Sequence, residues 1–151
     1  MQWIEHVQAN GLHLWTLEGP EQIAELTFSP ESKAFRLHYT HHRLFFLEDV
    51  GVLQQKIALK SEYGITLGEF QPQRHGQSGA VTVNDLKYHY KEDHANIQLF
   101  DKQKQRVVSI GVDFISELGI FEVASLLFSL AWIFPAIGSE STYQMINGLS
   151  A

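Results

Sequence analysis

The sequence predicts a mainly β protein: a closed antiparallel β-barrel of roughly twelve strands around one hydrophobic C-terminal helix, about residues 115–134. Three observations carry this. Short runs alternate apolar and polar residues through most of the chain, and alternation sends every second side chain to one sheet face. Gly, Pro, Asn and Asp separate the runs at regular short spacing. After Asp113 the composition changes to a long run of Leu, Ala, Phe and Ile that ends at Pro135.

In chain order, Leu12 to Leu17 alternates and Gly19-Pro20 turns the chain. Ile23 to Phe28 and Phe35 to Tyr39 follow, and Leu44 to Leu47 is a short apolar strand ended by Glu48-Asp49. Val52 to Ser61 reads as one longer strand, and Ile65 to Phe70 stops at Pro72. The stretch 71–79 has no apolar side chain to bury and reads as a loop. Ala80 to Val83 and Leu86 to Tyr90 flank Asn84-Asp85, two residues that tolerate positive φ, so a tight hairpin is expected. Ile97 to Phe100 and Arg106 to Ile110 complete the strands. There is also an internal echo. Glu18 to Phe28 and Glu62 to Phe70 each place a Gly-containing turn before an apolar residue, a small residue, Glu and an apolar residue, as repeated hairpins of one barrel would.

The helix segment, Phe114 to Phe134, favours helix by composition, and Pro135 marks its end. Ser116, Glu117 and Glu122 are expected near its N-terminal end, where capping groups and negative charge are favourable. From Val123 to Phe134 only Ser125 and Ser129 are polar, and they lie four apart on one face. A helix apolar nearly all round is enclosed by protein or by lipid. A membrane anchor over 117–137 would approach the roughly 20 apolar residues a bilayer needs, but Glu122 and Pro135 interrupt it. No Lys or Arg follows Arg106 to set an orientation. Enclosure by the preceding strands is the expectation.

Composition bounds the function. The 151 residues make one domain, 1–151, with 44% hydrophobic and 12% aromatic residues, fit for a packed core. The net charge of −6 lacks the basic footprint that nucleic-acid binding requires. With no Cys, the chain has no disulfide, thiolate metal site or Cys nucleophile, and it suits a reducing cytosol. The N-terminus lacks the basic and apolar regions of a signal peptide. No phosphate loop or dinucleotide fingerprint occurs, so no cofactor is implied.

Many short strands followed by one enclosed hydrophobic helix resembles the Tubby C-terminal-like superfamily, which includes tubby domains, LURP-one-related proteins and phospholipid scramblases. The resemblance is one of layout, over roughly Leu12 to Pro135. It rests on the Gly-turn echo, the hairpin Ala80 to Tyr90, the strand Asn96 to Phe100 and the helix Leu118 to Phe134. The chain looks like a compact bacterial-type member. The resemblance implies a binding or scaffold module without catalysis, whose partner is a protein surface or a lipid headgroup. Tubby domains bind phosphoinositides through a basic pocket, whereas Lys56, Lys60, Arg74, Lys87 and Lys91 are scattered here and meet only if the fold brings them together. Scramblases carry a Ca²⁺-binding acidic segment beside the final helix. Asp113, Glu117 and Glu122 lie there without the spacing of a Ca²⁺ loop.

The candidate ligand residues are therefore Lys56, Lys60, Lys87, Lys91 and the aromatic pair Tyr88 and Tyr90. The tyrosines share one strand face and form either a stacking surface or barrel wall. For a metal the candidates are His38 and His42, which neutral imidazole chemistry would allow. The alternatives to a binding module are a membrane-anchored β domain and a His-based metal protein or hydrolase. For the hydrolase, Gly138 to Ser141 and Gly76 to Gly79 are the nearest Gly/Ser turns, and neither forms Gly-x-Ser-x-Gly.

Overall fold

The computed structural model describes residues 1–73 and 77–135. The strands are β1 (Gln2–His6), β2 (His13–Glu18), β3 (Gln22–Ser29), β4 (Ala34–His38), β5 (His42–Asp49), β6 (Ile57–Ser61), β7 (Thr66–Pro72), β8 (Ser78–Val83), β9 (Leu86–Asp93), β10 (Asn96–Phe100) and β11 (Arg106–Val112). Among the described residues one α-helix, α1 (Ile120–Ile133), follows a 3₁₀ turn at Ile115–Glu117. Each strand pairs antiparallel with the next, and β1 closes on β11 to complete a barrel.

The expected barrel with its helix is present, with 11 strands. An up-and-down barrel with an odd number of strands must bring its first and last strands together pointing the same way. The seam is accordingly parallel, Gln2 beside Gly111 and Trp3 beside Val112. β1 has no counterpart in the alternation read from sequence, because Gln2, Glu5 and His6 leave only Trp3 and Ile4 apolar. Trp3 faces inward and is buried.

Strand direction sorts the connections onto two ends. Loops 7–12, 30–33, 50–56 and 94–95 lie at the upper end, where residues 113–119 lead into α1. The helix runs down the barrel, and the Tyr88 hydroxyl near the start of β9 donates to the Phe134 carbonyl at the lower end (3.3 Å). Phe28, Phe35, Phe45, Phe70, Leu17 and Leu26 project inward from the wall and are fully buried. Leu126, Leu127, Phe128 and Leu130 fill the centre, and the helix packs on β3, β6 and β8.

The buried serines are satisfied within the helix. Ser125 Oγ donates to the Glu122 carbonyl (2.7 Å) and Ser129 Oγ to the Ser125 carbonyl (2.8 Å), so neither brings an unmet polar group into the core. The start of the helix differs from expectation. Leu118 and Gly119 are extended, Gly119 is the N-cap, and no side chain caps it. Ser116 and Glu117 belong to the preceding 3₁₀ turn, while Glu122 occupies the first turn of α1, where the dipole favours its charge.

Val52 to Ser61 is not one strand. The Val50 amide bonds the Lys56 carbonyl (2.9 Å) and Asp49 Oδ1 accepts from the Gly51 amide (3.1 Å), which closes a loop. Val52 and Leu53 stand exposed at its tip, and β6 begins only at Ile57.

Two turn predictions hold. Asn84 and Asp85 have φ of 51° and 67°, with Val83 opposite Leu86, the arrangement of a two-residue hairpin. The echoed segments are equivalent hairpins, β2–β3 and β6–β7. Each has a register shift one step before the turn, at Leu17/Glu18 and at Leu59/Lys60. The small residue of each echo, Ala24 or Gly68, lies opposite Leu17 or Leu59. At Gly68 the close approach is real, because an added Cβ would meet the Thr82 backbone.

Candidate functional site

The outer wall over β8, β9 and β10 carries a concave surface with convergent polar groups. Tyr88 and Tyr90 point inward from β9, so Lys87, His89 and Lys91 point outward in one row about 14 Å long. The neighbouring outward residues of β8 are small: Ser78, Ala80 and Thr82. This asymmetry of side-chain size leaves a groove of about 370 Å³ lined by Gln73, Ser78, His89, Lys91, Phe100 and Lys104.

Local hydrogen bonds fix the groove's rims. At one, the Gln73 amide bonds the Ser78 carbonyl (2.8 Å) and Ser78 Oγ donates to Gln73 Oε1 (3.1 Å). At the other, Asp101 Oδ1 accepts from the amides of Gln103 and Gln105 (both 2.9 Å), and the Lys104 amide bonds the Asp101 carbonyl (3.0 Å). This Asp-centred turn holds Lys104, at φ 64°, against the groove. Lys91 Nζ lies 5.5 Å from the centre of the Phe100 ring, a cation–π contact that leaves the ammonium's other side open.

The lysines divide by partner. Lys56 Nζ pairs with Glu69 (3.4 Å) and Lys60 Nζ with Glu48 (2.8 Å), over Ala58 of β6. Among the described residues, Lys87, Lys91 and Lys104 have no carboxylate partner. Asp93 continues the outward row of β9 but lies against His94 (3.7 Å). The fold therefore unites Lys87 and Lys91, leaves Lys56 and Lys60 in neutral pairs elsewhere, and adds His89, Phe100 and Lys104. Arg74 lies outside the described residues.

Tyr88 and Tyr90 are barrel wall and do not form a stacking surface. Both are buried, and Tyr90 sets its edge against Phe70 (5.4 Å between ring centres). Gly79 makes room for Tyr90, since a Cβ there would come within 2.8 Å of the tyrosine ring. Burial pushes the Tyr90 hydroxyl's pKa up, and the charge of Glu92 adds to the effect. Glu92 itself is raised by burial.

A second polar cluster, missed in the sequence because its members are far apart in the chain, sits at the upper end. His13 lies between Glu5 (4.0 Å) and Glu122 (3.7 Å), so it bridges wall and helix. Its ring stacks on Trp15 (5.0 Å), whose indole N–H donates to Glu5 (3.1 Å). On the outer face of β2, Thr16 Oγ1 donates to Glu18 (2.7 Å) and lies 2.8 Å from His6 Nε2. A hydroxyl has one proton, so His6 must donate in that contact. That polarity is the reverse of what a histidine general base needs.

Of the Gly/Ser turns considered for hydrolysis, Ser139 and Ser141 lie outside the described residues and Ser78 is a strand residue bonded to Gln73. His38 and His42 face each other across the β4–β5 hairpin with ring centres 4.0 Å apart. Among the described residues, no three His, Asp or Glu side chains are grouped so as to hold a metal ion, and no helix is long and apolar enough to cross a membrane. No protein-family model, curated protein or solved structure matches this chain.

Proposed function

We propose that this protein is a non-enzymatic binding module of the Tubby-like type whose outer groove takes an anionic lipid headgroup. One observation carries the reading: in a chain of net charge −6, Lys91 and Lys104 line one groove with His89, Lys87 lies in the same outward row of β9, and among the described residues none of the three lysines has a carboxylate partner. Elsewhere on the wall, Lys56 and Lys60 are neutralised by Glu69 and Glu48. A cationic groove with an aromatic floor attracts phosphate oxygens, and each basic residue near an anionic membrane contributes about 1 kcal/mol. The barrel interior supports external recognition, because the helix and the inward aromatic side chains fill it. A cytosolic location and the absence of a catalytic role go with this reading.

The test is sedimentation with vesicles of phosphatidylcholine alone, or with added phosphatidylserine or a phosphoinositide. Binding should require the anionic lipid and weaken with salt. Lys91→Glu and Lys104→Glu should each reduce it on the order of tenfold. Equal binding to neutral vesicles, or no effect of either variant, would sink the proposal. A protein surface is the second reading, favoured by Val52 and Leu53, 95% and 97% exposed at one loop tip. It predicts that Leu53→Asp, and not Lys91→Glu, abolishes partner capture.

A further inference from the structure

We propose that His38 and His42 form a two-imidazole chelate for a divalent transition-metal ion on the outer wall, separate from the lysine groove. The two residues are direct cross-strand partners on β4 and β5. Their rings lie 4.0 Å apart at 16°, and both side chains are exposed. In-plane lone pairs of parallel rings do not meet, so the imidazoles must rotate out of the stack to hold one ion, as two exposed cross-strand side chains with Cβ atoms roughly 5 Å apart can do. Neither imidazole is engaged by another described residue beyond this stack. His6, His13 and His94 differ, since hydroxyl or carboxylate groups already hold them.

The surroundings set the charge balance. Glu25 of β3 is the register partner of His38, so Glu25, His38 and His42 form one row across three strands. Its carboxylate places negative charge beside the pair. Arg36, two residues along β4, faces the same way and opposes a cation. His41 lies in the adjoining turn, where the Tyr39 amide meets the His41 carbonyl (3.3 Å) and holds the hairpin closed. Imidazole favours Zn²⁺, Ni²⁺ and Cu²⁺ over Mg²⁺ and Ca²⁺, and water completes the coordination of a two-ligand surface site. This is a bidentate surface site, distinct from the four-ligand kind that structural zinc uses.

The experiment is calorimetric titration of Ni²⁺ or Zn²⁺ into the untagged full chain. One ion per chain should bind, and His38→Ala or His42→Ala should each weaken it roughly a hundredfold through loss of the chelate. His89→Ala and His94→Ala should leave it unchanged. Thermal melts without metal check that each variant folds, with His38→Gln and His42→Gln as the second pair if the alanine forms do not. No binding by the native chain, or equal binding by the His38→Ala/His42→Ala double variant, overturns the proposal.

Discussion

At the scale of single residues, burial and charge separate the groups that hold the wall from those free to bind. Glu92 sits at the upper end of β9, and burial raises its pKa above the usual carboxylate range. Its folded value lies above its unfolded one, so its contribution to stability is full below the unfolded value, near 4.3, and is lost as pH rises through the folded value. Glu92→Gln should therefore raise the melting temperature at pH 7 and leave it unchanged or lower at pH 4. Melts of both proteins across that range check it, and an equal gain at both pH values would remove burial as the cause. Asp101 gives a second prediction at this scale. Its carboxylate organises the turn that carries Lys104, so Asp101→Ala should weaken vesicle binding severalfold without altering the charge of any lysine. The site was only half legible in the sequence. Lys87, Lys91, Tyr88 and Tyr90 could be sorted by strand parity, which puts the lysines on one face and the tyrosines on the other. Phe100 and Lys104 come from the next hairpin, and the neutralising partners of Lys56 and Lys60 come from β7 and β5. Pairings across strands are set by register, and local composition does not encode them.

At the scale of elements, the helix and the hairpins show where local pattern is sufficient. Val123 to Phe134 is apolar apart from Ser125 and Ser129, whose hydroxyls bond within the helix, and an enclosing wall covers it. Phe128 is buried at its centre with its ring 6.5 Å from that of Phe70. Phe128→Ala should cost about 3–5 kcal/mol, read from urea unfolding. Ser129→Ala should change stability by less than about 0.5 kcal/mol, because its hydroxyl bonds a carbonyl that the helix already uses. Together the two separate packing from polarity on one element. The Asn84-Asp85 hairpin was readable because its turn chemistry is local. The 52–61 segment was not, because Val52 and Leu53 carry a strand's composition while Asp49 and the Val50–Lys56 bond fold them into a loop. Composition reports what a segment tolerates, and hydrogen bonds closed from outside it decide what it does.

At the scale of the whole molecule, the odd strand count governs how the barrel is held shut. Every interface but one joins consecutive strands, and most carry four or more registered pairs, such as Gln2 to His6 against Leu14 to Glu18. The closing interface has only Gln2 with Gly111 and Trp3 with Val112. One further bond there runs from the Gly111 amide to the Met1 carbonyl (3.1 Å). Parallel pairing is also slightly weaker per residue than antiparallel. What compensates is Trp3, 1% exposed and set in the core beside the seam. The seam is thus the expected site of first opening, since local openings occur where buried contacts and backbone bonds are fewest. Native-state hydrogen exchange should show the amides of β1 and the facing half of β11 exchanging with lower protection than those of β2, β3 and β8. Trp3→Ala should widen that difference and destabilise the fold by about 3–5 kcal/mol. If the seam amides exchange only with global unfolding, the barrel closes as one cooperative unit and the enclosed helix, in contact with strands from several sides, is what locks it. That outcome would move the origin of closure from the strand edges to the core, and Phe128→Ala would then lower protection evenly around the wall.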